Sequence, residues 1–264
     1  MKLQLLNQDK VLDEEEDDGF VSLSYTSQYA QGNYYRLTLD HYPAFVWIQL
    51  EACIAPSLIY ITKKNWDYTI PFNLQREWPY PDGAFLGKNH YSWARLATAE
   101  ELKNRVNLAI NTYDQHDENG AFPHASANAE TRNETVFFAK NAIDGICANK
   151  KHGSYPFQSW GVDRREDAEF TLDFGRLVEI DQINFVLRAD YPHDVNWSSI
   201  EVRFSDDSSE RLALIRTRKC QEFPIAKRQV KWLKLTKLKR IDNTDAFPAL
   251  SQLEVYGRNV DKKL

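Results

Sequence analysis

Four short runs in the first part of the chain carry strand patterning: Phe20–Tyr25, Tyr34–Leu39, Ala44–Glu51 and Ser57–Thr62 are dense in aromatic and β-branched residues. Each is followed by Gly, Pro, Asn or Asp, the residues that end strands, so the pattern predicts a β-rich, sandwich-like unit over 1–97. Between Trp66 and Trp93 the chain carries Pro71, Pro79, Pro81, Gly83 and Gly87, which exclude a regular helix and predict long packed loops. Trp78, Tyr80 and Phe85 in that stretch are expected to pack onto the sheet, with a groove as the alternative.

The pattern then changes period. Thr98 and Glu101 stand in capping-box spacing before Leu102, Val106, Leu108, Ala109 and Ile110, which predicts a helix ending near Asn111. The turn-rich stretch that follows completes a helix-and-linker segment over 98–121, and a second short helical stretch is expected over Glu134–Ile143. From Ala168 onward only strands are expected: Ala168–Asp173, Gln182–Leu187, Ile200–Phe204, Arg211–Ile215, Val230–Leu235 and Leu253–Tyr256. That rhythm is a sandwich or jelly roll over 122–264, and the fold class is all-β with a short helical connector.

Composition narrows the picture. With 42% hydrophobic and 13% aromatic residues the chain has the material for real cores. The net charge of −5 rests on one acidic run, Asp13–Asp18, expected as a solvated loop; the remaining chain is nearly neutral, without the basic footprint of a nucleic-acid binder. Arg211–Arg240 holds eleven Lys or Arg residues against Glu222 alone, which reads as a guarded sheet face. Cys53, Cys147 and Cys220 are odd in number and widely spaced, which suits buried structural thiols in a reducing compartment. MKLQLLNQDK lacks the apolar core of a secretion signal and no run is long enough for a membrane span, so the default expectation is a cytoplasmic protein.

Five segments carry a resemblance. In order they are Asn141–Gly145, Ser159–Trp160, Phe170–Gly175 (FTLDFG), Ile200–Asp206 and Leu253–Gly257 (LEVYG). This series resembles discoidin-like domains, the group of coagulation factor 5/8 type C domains and family 32 carbohydrate-binding modules, over the C-terminal half only. The resemblance implies a jelly roll of the galactose-binding type whose loops at one end hold a ligand. It also implies a structural calcium near Asp144, completed by a carboxylate just before the VYG segment. Gln252 stands at that place, and a neutral amide ligates calcium more weakly, so no cofactor is expected.

A sugar site needs planar hydrogen-bonding groups for hydroxyls and an aromatic face for the C–H side of the ring. The loop containing Arg188, Asp190, Tyr191, His193, Asp194 and Trp197 offers all of these between two strands. A second loop adds His152, Tyr155, Trp160 and Arg164, which in discoidin-like domains would share that end of the sandwich. The opposing expectation is structural: an Arg188–Asp190 ion pair, with Trp197 at the sheet edge and Trp160 packed under its loop. The predicted function is non-catalytic carbohydrate binding. The alternatives are a glycan-active enzyme using Asp190, His193 and Asp194, and a module that binds a protein or membrane surface.

Overall fold

The structure is a computed structural model, and it describes residues 1–148, 153, 155–188, 196–241 and 248–260. In the first part the strands are β1 (Lys2–Asn7), β2 (Lys10–Glu16), β3 (Phe20–Tyr25), β4 (Asn33–Thr38), β5 (Ala44–Gln49), β6 (Ser57–Ile61), β7 (Asn65–Thr69) and β8 (His90–Leu96). A short helix, α1 (Ala99–Lys103), follows. After it come β9 (Val106–Asn107), β10 (Ala121–Phe122), β11 (His124–Ala127), β12 (Trp160–Gly161), β13 (Phe170–Leu187), β14 (Trp197–Phe204), β15 (Ser209–Ala213), β16 (Gln221–Arg240) and β17 (Ala249–Asn259).

The first unit is a sandwich of two antiparallel sheets, ordered β2-β1-β4-β7 and β10-β6-β5-β8-β3. Alternation decides which side chains fill it. Leu3, Leu5, Tyr35, Leu37, Trp66 and Tyr68 from one sheet meet Val21, Leu23, Val46, Ile48, Ile59 and Ile61 from the other. The acidic run is not a loop, because Asp13–Glu16 lies on the edge strand β2. Lys2 answers it from β1, its Nζ 3.0 Å from Glu14, and edge strands tolerate charge because one side faces water.

The second unit wraps one continuous antiparallel sheet, β12-β17-β13-β16-β14-β15, around its own core, with β11 on β13 and β9 on β17. The resemblance segments supply that core: Phe170, Leu172 and Phe174 of FTLDFG, Ile200, Val202 and Phe204, and Leu253 and Val255 are all essentially inaccessible. Gly175 does not end its strand. It sits at φ +65° inside a register shift of β13, where an added Cβ would lie 2.4 Å from the Phe122 ring. The glycine therefore bends a continuing strand.

The connector departs from expectation. The capping box forms, with the Thr98 N–H donating to Glu101 Oε2 at 2.8 Å, but the helix stops at Lys103. Val106 and Asn107 instead pair with Gly257 and Tyr256, and Leu108 and Ala109 enter the second core. Tertiary pairing outweighs the local helical pattern there. The stretch expected to be helical over Glu134–Ile143 consists of two 3₁₀ turns, Thr135–Phe137 and Ala139–Ala142. The three cysteines are free and exposed rather than buried. No helix among the described residues is long and apolar enough to cross a membrane.

Candidate functional site

Residues 111–114 and 121–127 run between the two units. Asn111 bonds back to the second unit, its N–H donating to Ile143 O at 2.9 Å, while Thr112 Oγ1 donates to Ala55 O at 2.8 Å in the first. This crossing leaves a cleft at the junction. One wall is Tyr80 with Pro79 and Pro81, from the loop before β8; the other is Tyr155; Lys140, Asn141 and Asp144 come from the turns before β12, and Asp114 from the connector.

The charges in the cleft balance one another. Lys140 Nζ donates to Tyr80 Oη at 3.2 Å and lies 5.0 Å from that ring's centre. Burial works against the ammonium, but Tyr80, then Asp144 and Asp114, overcome it and hold the lysine above its ordinary pKa. Burial drives the Asp144 carboxyl up to about 7, against the opposing pull of the Ile146 N–H, Gln158 and Lys140. Asp114 is also raised by burial, although His124 Nδ1 at 2.9 Å and the Ala125 N–H at 2.9 Å are both bonded to it. Asp114 is thus committed to structure. Asp144 and Lys140 face the cleft beside the rim aromatic Tyr155, which is 42% exposed.

Residues 155–158 join this cleft to an aromatic and cationic stack. The Phe157 ring is 6.1 Å from Trp78 and 6.4 Å from Phe137, and the buried Arg188 guanidinium lies 5.5 Å over Phe157 and 5.8 Å over Phe137. Arg132 caps the stack 5.5 Å over Phe137. Trp78 is 55% exposed, so the stack reaches the surface there.

The sequence-predicted residues divide sharply. Tyr155 lines the cleft, and Arg188 lies in the neighbouring stack with its N–H donating to Ala249 O at 3.0 Å. Trp197 and Trp160 are withdrawn into the core, their rings 6.0 Å apart, with Trp160 Nε1 donating to Ala129 O at 2.9 Å. Neither ring offers a face to a ligand; both hold up the strands beneath it. Arg164 is exposed, its carbonyl accepting from Arg240, and does not line the cleft. His152, Asp190, Tyr191, His193 and Asp194 lie outside the described residues. Lys140, Asp144 and Asn141 are the cleft residues that loop composition did not select, while Tyr80 lines it in the groove role given above as the alternative.

The calcium that the resemblance implies does not fit this turn. Gln252 Oε1 accepts the Gly145 N–H at 3.1 Å, and the Asp144 oxygens accept from Ile146 N at 2.8 Å and Gln158 Nε2 at 3.3 Å. The amide closes the turn that an ion would otherwise organise, and among the described residues no group of three or more His, Cys, Asp or Glu side chains gathers to hold a metal.

No family model matches the chain, and no curated protein does either. Solved structures do. The family 32 carbohydrate-binding module of Clostridium perfringens NanJ in complex with galactose is 15% identical, with a TM-score of 0.39, covering 50% of this chain and 91% of that one. A Streptococcus pneumoniae fucose binding module is 11% identical, with a TM-score of 0.42, over 58% of this chain and 96% of that one. The lectin domain of lectinolysin complexed with Lewis b antigen is 12% identical, with a TM-score of 0.43, over 59% of this chain and 98% of that one.

Proposed function

We propose that the chain binds carbohydrate, without catalysis, in the cleft between Tyr80 and Tyr155 at the loop end of the C-terminal sandwich. One observation carries this reading. An exposed tyrosine ring stands beside a carboxyl and an ammonium bonded to a phenol, which is a lining of donors and acceptors suited to a hydroxyl-rich ring. Asp144 and Lys140 supply an acceptor and a donor for vicinal hydroxyls, and Tyr155 supplies the apolar face. Asp190, Tyr191, His193, Asp194 and His152 keep their place in the proposal on the chemistry of their side chains alone.

Calorimetry with neutral galactose- and fucose-terminated oligosaccharides tests the reading. Binding by the native protein that weakens about tenfold in Tyr155→Ala supports it; unchanged binding in that variant removes the cleft from consideration. Recovery of the oligosaccharide intact after prolonged incubation is the expected sign that binding is the whole activity, and its cleavage would favour the enzymatic alternative.

A further inference from the structure

A second cleft opens on another side of the same junction, between the outer face of the β10-β6-β5-β8-β3 sheet and the bend of β13. Arg176 lies in that bend, next to Gly175. Its guanidinium stacks 4.8 Å from the Phe45 ring centre and 5.3 Å from that of Tyr60. Nε donates to Asn259 Oδ1 at 2.9 Å and Nη1 donates to Phe174 O at 2.8 Å. A guanidinium has five N–H groups, so these two neutral acceptors leave most of the fork unused. No described carboxylate pairs with it, and the other charged groups lining the cleft are Lys231 and Asp173. Asp173 already accepts the Gly175 N–H at 2.7 Å.

A cation partly withdrawn from water and given no counter-charge is costly to hold, unless something supplies that charge. Burial lowers the Arg176 pKa to about 10, with Tyr60 alone acting the other way. The two rings fix the guanidinium plane, so the fork is oriented before any ligand arrives. A carboxylate matches a guanidinium fork in two parallel hydrogen bonds. Lys231 adds attraction at the rim, Trp232 adds an aromatic surface, and Asp173 with Thr62 adds acceptor and hydroxyl groups suited to ligand hydroxyls. Asp173 also disfavours a densely acidic partner such as a glutamate-rich peptide.

We propose that this cleft is a second binding site, which takes a carboxylate-bearing sugar and clamps its carboxylate with Arg176. The site is independent of the one proposed above and separates from it by charge preference.

The test is calorimetry on the full chain with trigalacturonate, with its fully methyl-esterified form, and with hexaglutamate. The acid is expected to bind at least tenfold more tightly than the ester, with hexaglutamate weaker than the acid. Arg176→Gln should abolish the preference for acid over ester while leaving the affinity for neutral galactose-terminated oligosaccharides unchanged. Arg176→Lys should retain only part of the preference, because an ammonium lacks the planar fork. Lys231→Gln, at an exposed position whose loss leaves the fold intact, should weaken acid binding several-fold and reduce its salt dependence. Equal affinity for acid and ester, tighter binding of hexaglutamate, or a preference left undiminished by both Arg176→Lys and Lys231→Gln would each overturn the proposal. Should Arg176→Gln fail to fold, those last two variants decide the matter.

Discussion

The two clefts share one junction and solve the problem of charge in opposite ways. Around Asp144, Lys140 and Asp114 the protein places charges of both signs together, with the ammonium bonded to a phenol and held up by the fields of two carboxyls. Around Arg176 it provides aromatic faces and neutral acceptors and leaves the positive charge unanswered among the described residues. A self-balanced lining gains nothing from a charged ligand, whereas an unbalanced one selects for the missing sign. Polar residue content alone would not separate the two; the partner of each charge does.

The severest way to break this contrast is Gly175→Ala. The new Cβ would meet the Phe122 ring in a left-handed backbone conformation, so unfolding free energy should fall by about 2–4 kcal/mol in denaturant titrations. Carboxylate selectivity should be lost with it, because the bend carries Arg176.

The next test follows the proton on Asp144. Its folded pKa, about 7, lies above the ordinary aspartate value of 3.8, so the folded state holds a proton that the unfolded state releases. The stabilising contribution is fully present below pH 3.8 and is lost as pH rises through about 7. Asp144→Asn should flatten this part of the pH–stability curve, while Lys140→Met, which removes the nearby positive charge, should move its midpoint upward. A curve unchanged in both variants would show that the cleft carboxyl is not buried in the sense described.

Smaller in effect, Tyr155→Ala should cost neutral-sugar binding about tenfold, or roughly 1.4 kcal/mol, yet shift the unfolding midpoint little because the ring is a rim residue. Smallest of all, Arg132→Gln breaks an exposed ion pair with Glu134, 61% and 39% accessible. It should change stability by less than about 1 kcal/mol, measured by the same titrations.

The strands were legible where alternation is clean. Phe20–Tyr25 has the bounds of β3, and Leu233 and Leu235 face inward while Trp232 and Lys234 stay near the surface, as period two demands. Helical reading failed over Val106–Ile110 because what fixes that segment is a partner strand 148 residues further on, where Asn107 Oδ1 accepts the Val255 N–H. Trp197 looked like a ligand-facing ring because its sequence neighbours are polar, but it opens β14 with its side chain in the core. The cleft itself was illegible for a plainer reason. Tyr80, Asp114, Lys140, Asp144 and Tyr155 belong to separate stretches, and only the folded path of the connector gathers them.

That connector also works as a seam. From Val106 to Ala127 the backbone pairs first with β17, then crosses so that Tyr113 enters the first core and Ala121 and Phe122 lie on β6, then returns to β13. A cut between Phe122 and Pro123 would therefore release neither unit cleanly, since the second would lose β9 from its sheet edge while the first kept β10. Pull applied to either unit would reach the other through two backbone crossings, at Asn111–Asp114 and at Phe122–His124, rather than through a single tether.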